Sequence, residues 1–395
     1  MSLRLSSSRT DPVRIPDPSR RAVIAGLAGT IAAPAQAGAG RGSWSADSLH
    51  AAAARTGLAY GTAVPVERMQ DRAYLAVVAR ECGILVPNTQ TKMLSILTAP
   101  GVEDFSETDK VLRLARANGQ RLRGHTLVWH DGIPAWAQPL IARASAYQAE
   151  SFLRRWIGAV AGHCRGRIEA WDVINEVLAQ GEIRRADGLR ETPWLAALGP
   201  DYIDLAFRIL HEVDPKAAGT WNEDAVEQSV PWMEARRNLV LRRIEGMRAR
   251  GVPIHRFGLQ SHLASPIPID ERQLRRFLRE LGQMGLGIEI TELDFDDRAF
   301  PADIATRDRM VADYARRYLD VVLDEPAVLN ILTWDFYDPA TWLNRHPDRR
   351  RPDGLPQRAL PFDAAYRRKP LWHAMHRAFA AAPDHGAARE RLRRV

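Results

Sequence analysis

Cysteine is nearly absent: Cys82 and Cys164 are the only two in 395 residues. Two thiols make neither a disulfide framework nor a metal-ligand spacing. They read as buried thiols, with a bridge between them left open for a chain that matures in an oxidising compartment. Long apolar runs are missing too, since none approaches the roughly 20 residues that cross a bilayer. No Gly-rich phosphate loop follows the first strand-like segment, and no internal repeat goes beyond an alternation of strands and helices. The charge excess is thin where it would matter. Of the formal +7, residues 1–37 contribute +3 and residues 383–395 contribute +2, which leaves only +2 for the body. Nucleic-acid binding needs a basic face on the folded domain, and this balance excludes one. The excess of Arg over Lys reads as coding bias.

At the N-terminus, Arg20-Arg21 precedes an apolar run to Ala33, then Pro34 and the small-residue pattern Ala35-Gln36-Ala37. Residues 1–37 therefore read as a cleavable export signal, with the paired arginines pointing to the twin-arginine route. The expected product is a periplasmic or secreted protein with no membrane attachment after cleavage. Residues 38–54 read as a linker or N-terminal segment, 55–382 as one large domain, and 383–395 as a basic, flexible, solvated tail.

Within the domain, short β-type runs alternate with amphipathic stretches. Eight strands are expected near Tyr60–Val64, Ile84–Val86, Arg121–Val128, Ile168–Asn175, Ala217–Trp221, Arg256–Gln260, Gly287–Thr291 and Val328–Thr333. Helices fit between them. One is stopped at Asn118-Gly119, and another carries Met310, Tyr314, Arg317 and Tyr318 at helical spacing. Eight such units favour an α/β fold closed as a (β/α)8 TIM barrel over an open doubly wound sheet, with chemistry at the C-terminal ends of the strands.

Two of those ends carry carboxylates. Trp171-Asp172-Val173-Ile174-Asn175-Glu176 runs apolar into an amide and an acid, and Ile288-Glu289-Ile290-Thr291-Glu292-Leu293-Asp294 repeats the arrangement. Closing the fourth and seventh strands, Glu176 and Glu292 face one rim. Glycosidic hydrolysis needs such a pair: one carboxyl to protonate the leaving oxygen, another to meet the oxocarbenium-like centre. Around them fall His125, Trp129, Asn175, His262, Trp334 and Trp342. Aromatic faces suit the apolar face of a sugar, and amide or imidazole groups suit its hydroxyls. Trp136, Trp156 and Trp194 lie outside these segments and read as core. His125 and His130 are five apart, so strand parity aims them oppositely, and no metal or cofactor is expected.

Four ordered segments resemble glycoside hydrolase family 10, the endo-1,4-β-xylanase family: His125-Thr126-Leu127-Val128-Trp129-His130, Trp171 to Glu176, Gly258-Leu259-Gln260-Ser261-His262 and Thr291-Glu292-Leu293-Asp294. The resemblance runs from about Tyr60 to Phe379. It implies Glu176 as acid/base and Glu292 as nucleophile of a retaining enzyme, with His262 orienting Glu292 and Asp294 holding His262. It also implies that Asn175 contacts the sugar 2-hydroxyl and that Lys92, His125 and Gln260 hold further hydroxyls. Trp129, Trp334 and Trp342 would wall the site, and the expected partner is xylan or a similar polysaccharide acted on by a monomer.

Departures from the family pattern gather at outlying positions. Pro87-Asn88-Thr89-Gln90-Thr91-Lys92-Met93 keeps the lysine but lacks the usual Glu, Asn and Trp; Gly132 stands for a Gln, and Trp221-Asn222-Glu223-Asp224 lacks a Tyr. Two other readings stay open: a glycanase for a non-xylan β-1,4 polymer, and a glycan-binding barrel without catalysis. Retention of two juxtaposed carboxylates, which repel each other, argues against the last.

Overall fold

The computed structural model describes residues 44–181, 185–265 and 267–393. The expected export signal lies outside the described residues. Eight strands close a barrel: β1 (Ala59–Val64), β2 (Ile84–Pro87), β3 (Arg121–Gly124), β4 (Ala170–Asn175), β5 (Ala218–Glu223), β6 (Arg256–Leu259), β7 (Gly287–Asp296) and β8 (Val328–Thr333). Neighbours in sequence are neighbours in space, every pairing is parallel, and β8 returns to pair with β1. The strands are almost wholly buried, as a parallel sheet covered by helices requires. The eight-strand (β/α)8 expectation holds.

Local chemistry sets the helix ends. The helix Ser106–Asn118 stops where Gly119 turns left-handed at φ 64°, its N–H reaching back to Ala115 and Arg116 carbonyls. The helix Ala146–His163 opens on a capping box of Ser145 and Gln148. Gly124 serves the sheet: a Cβ there would sit 2.1 Å from the Trp171 ring, so β3 and β4 can carry that indole between them only with glycine.

Several expectations need correction. The third strand is not continuous to Val128; it breaks after Gly124 and resumes at Val128–Trp129, beside β4. Between the two pieces Leu127 N–H and Thr126 Oγ1 both donate to the Asp172 carbonyl, at 2.8 and 2.9 Å. The seventh strand runs on to Asp296, because His262–Ala264 pairs with its far half. The segment 38–54 is not all linker, since Leu49–Arg55 is a helix with Leu49, His50, Ala52 and Ala53 buried. Nor is the C-terminal stretch a solvated tail. Gly386–Arg393 is a helix whose Ala388 and Leu392, four apart, are buried, while the ring of buried His385 meets the carbonyls of Leu323 and Pro326 at 3.0 and 3.3 Å. Arg389 Nη1 donates to the Gly57 carbonyl at 2.6 Å. Cys82 and Cys164 are free and buried.

The barrel interior beneath the rim is ionic. Arg123 donates to Asp172 and, at 3.0 Å, to Glu289, which also accepts from Arg256 (2.8 Å), Asn330 (2.9 Å) and Thr220 (3.1 Å). Every one of these carboxylates has fixed donors, the condition under which buried charge is tolerated. Arginine thus has an interior role beyond coding bias.

Candidate active site

Four non-glycine residues with left-handed backbone lie just past strand ends: Glu176 (φ 53°) after β4, Ala225 (φ 52°) after β5, Ser261 (φ 63°) after β6 and Asp335 (φ 67°) after β8. Such a conformation costs a non-glycine residue ~1–2 kcal/mol, so its concentration on one rim marks where function constrains the backbone. There the strands surround a cleft of about 840 Å³ that includes Glu176 and Glu292 in its walls.

Glu176 ends β4 in a cradle of donors. Its Oε1 accepts from Gln260 Nε2 at 2.9 Å and Asn175 Nδ2 at 3.2 Å, and its Oε2 from Trp129 Nε1 at 3.0 Å. Removal from water, and then the charge of Asp224, raise its pKa against the hydrogen bonds of Gln260 and Trp129. Glu292, on β7, is treated oppositely. Burial pulls its pKa up, but a hydrogen bond from His262 at 3.3 Å and the charges of His262 and Lys92 hold it at about 2. His262 itself, though burial works against its charge, is held well above its ordinary pKa by Asp294 and Glu292. Its Nδ1 lies 3.0 Å from Asp294, whose other oxygen accepts from Trp342 Nε1 at 2.7 Å. Asp294 reaches His262 because the two residues are in register across paired strands.

The remaining expected residues converge on the same cleft. Lys92 is buried, with its ammonium 4.5 Å from the Trp129 ring centre and 5.7 Å from that of Trp334; desolvation lowers its pKa against the pull of Glu292 and Glu176. His125 presents Nδ1 to Asp172 at 2.8 Å, and burial followed by the Lys92 charge lowers its pKa. Trp334 packs edge-on to His125 at 5.1 Å, and Trp342 edge-on to His262 at 5.1 Å. Gln260 is turned toward Glu176 and Asn175.

One central residue escaped the sequence reading. Asn222 Nδ2 donates to both Asn175 Oδ1 and Glu292 Oε1, and its Oδ1 accepts from Thr291. With Asn175 Oδ1 already accepting from Asn222 and Gln260, the Asn175 amide must present N–H, not oxygen, elsewhere. The available signal was position: Asn222 lies on β5 two residues from Asp224 and beside a strand that ends in an acid. Of the five departures, Asn88 and Asp224 line the cleft. Met93 is core and Gly132 is buried against Trp129, so neither opens space for substrate.

A closed barrel whose rim holds two carboxyls with pKa values pushed apart, walled by indoles and amides, is the site of a glycoside hydrolase. The chain belongs to that class, and more narrowly to Glycosyl hydrolase family 10, whose profile matches residues 48–378. It is 32% identical over 304 residues to endo-1,4-beta-xylanase B of Thermotoga neapolitana, covering 76% of this chain and 82% of that one. Endo-1,4-beta-xylanase 5 of Pyricularia oryzae is 30% identical over 385 residues, 92% and 88% of the two chains. Among solved structures, xylanase 10B of Thermotoga petrophila in complex with xylobiose superposes with a TM-score of 0.75 at 29% identity, over 84% of this chain and 97% of that one. This protein is an endo-1,4-β-xylanase-like glycanase.

Proposed function

We propose that the chain cleaves internal β-1,4 links of xylan or a closely related polysaccharide with retention of configuration. The observation that carries hydrolysis is the split between Glu176, raised, and Glu292, held at about 2; retention is what membership of Glycosyl hydrolase family 10 implies. Glu176 enters protonated and gives its proton to the glycosidic oxygen as the C1–O bond breaks, while the ionised Glu292 attacks C1 and forms a glycosyl ester. Glu176, now a carboxylate, takes a proton from water; the water oxygen attacks C1 and Glu292 leaves. His262, itself held by Asp294, orients Glu292. The Asn175 amide meets the 2-hydroxyl, Lys92, His125 and Gln260 hold neighbouring hydroxyls, and Trp129, Trp334 and Trp342 exclude water from the sugar faces.

The names of the Thermotoga and Pyricularia relatives, and the xylobiose held by a solved relative, support xylan as the polymer. The test is release of reducing ends from xylan, glucan and mannan. Cleavage of xylan above the other two is expected; a barrel that only binds glycans would release none from any. Arg20-Arg21 and Ala35-Gln36-Ala37 further support action outside the cytoplasm after cleavage near Gly38. N-terminal sequencing of exported protein that still began at Met1 would contradict it. Among the described residues no helix is long and apolar enough to cross a membrane.

A further inference from the structure

One wall of the cleft is basic. The loop after β8 brings Arg345, His346 and Arg349 into its wall, directly beyond Trp342, whereas Asp224 and Glu227 line it beyond β5. In the ring of strands β1 lies diametrically across from β5, with β8 and β2 on either side of β1. The residue at the tip of β2 that lines the cleft is the neutral Asn88. The wall beyond Trp342 is therefore basic, whereas on the β5 side Asp224 is paired with the buried Arg236 at 2.7 Å.

The basic end is not neutralised from within. Arg345 is exposed and makes no ion pair among the described residues. Arg349 stands 5.8 Å from the Trp342 ring centre and 3.6 Å from Asp296, but that carboxylate is already engaged by Arg298 at 2.8 Å. Arg350 is likewise exposed. The loop is also held in place. Arg351, buried, donates to Asp297 and to the Phe300 carbonyl, Gln357 accepts from Asp297 N–H at 2.8 Å, and Gln357 N–H donates to Asn344 at 2.7 Å. Anchored on both sides, the loop holds Arg345 and Arg349 in the cleft wall beside Trp342. A patch that served only solubility would have no need of this anchorage or of a place in the cleft.

We propose that this end of the cleft is a recognition site for a carboxylate, so that the polymer cut by this enzyme bears uronic acid units or side groups on the sugars bound beyond Trp342. Guanidinium forks pair with planar carboxylates through two parallel hydrogen bonds, and the aromatic face beside them holds the sugar ring that carries the acid. This rests on the glycanase reading above and names its substrate class.

The test compares two oligosaccharides of equal length: an aldouronic xylo-oligosaccharide, and its carboxyl-reduced counterpart in which CH₂OH replaces the carboxylate. Calorimetric titration of the Glu292→Gln protein reads binding without turnover. The acidic ligand should bind up to about fivefold more tightly, the scale of a partly exposed ion pair. That preference should shrink toward unity in roughly 0.5 M sodium chloride and in a protein that also carries Arg345→Gln and Arg349→Gln. The kcat/KM ratio of the otherwise wild-type enzyme on the same two ligands supplies a second reading should Glu292→Gln fold poorly. Equal affinity for both ligands, or a preference that survives both arginine substitutions, would overturn the proposal. Hydrolysis of neutral xylan by the wild type reports separately on the glycanase reading.

Discussion

Asn222 Nδ2 lies 2.8 Å from Glu292 Oε1 and 2.8 Å from Asn175 Oδ1, so one amide ties the Glu292 carboxylate to the amide beside Glu176. Replacing it with alanine removes a hydrogen bond to a charged group, worth about 1.5–3 kcal/mol. Asn222→Ala should lower kcat ~10- to 100-fold with a smaller change in KM, because the geometry it fixes is used in the transition state. Steady-state kinetics beside a melting curve check this. A raised KM with kcat intact would assign Asn222 to ground-state binding instead.

The charge of Asp224 opposes ionisation of Glu176 and so helps keep the acid protonated. Asp224→Asn removes that repulsion, the Glu176 pKa falls, and the alkaline limb of the kcat/KM profile should move to lower pH. The acidic limb, set by Glu292, should stay where it is. Profiles of both proteins on one oligosaccharide decide it, and an alkaline limb that moved upward would remove Glu176 from that role.

Glu289 is buried beneath the site, where burial alone would raise its pKa, yet Arg123 and Arg256 bring it from its ordinary 4.5 to about 2. A depressed folded-state pKa means stability that is present above the unfolded value and lost as pH falls through the folded one. Glu289→Gln should therefore cost about 3–5 kcal/mol at neutral pH by leaving buried arginines underpaired. The gap to wild type should narrow as pH drops from 4.5 toward 2. Urea melts across that range measure it, and a gap independent of pH would show that the charge is not what matters.

Asn88 lines the cleft where the family pattern has an acid. An amide accepts hydroxyl hydrogen bonds about half as strongly as a carboxylate. Asn88→Glu should accordingly raise kcat/KM on unsubstituted xylo-oligosaccharides, by roughly tenfold. No gain would mean that this position does not touch the sugar.

Much of the arrangement was legible because strand ends announce themselves. Hydrophobic runs closed by Glu176 and Glu292, and helix stops such as Asn118-Gly119, are local signals, and the structure places those elements where the runs predict. What the sequence hid depends on partners far along the chain. Asn222 matters through Asn175, 47 residues away, and Glu292, 70 away. Leu392 is buried in a charged octapeptide helix that periodicity alone reads as solvated. The interior arginines are tolerated only because Asp172 and Glu289 meet them across the barrel. The break in the third strand arises from donors to a carbonyl on β4. None of these can be found by scanning a window.

The division of labour between Glu176 and Glu292 has one direct readout, the configuration of the product at the moment it forms. Proton NMR of a xylo-oligosaccharide digest, recorded before mutarotation, should show the β-anomer at the new reducing end, as two successive displacements through Glu292 require. First appearance of the α-anomer would mean that water attacks C1 directly, and Glu292 would not be the nucleophile.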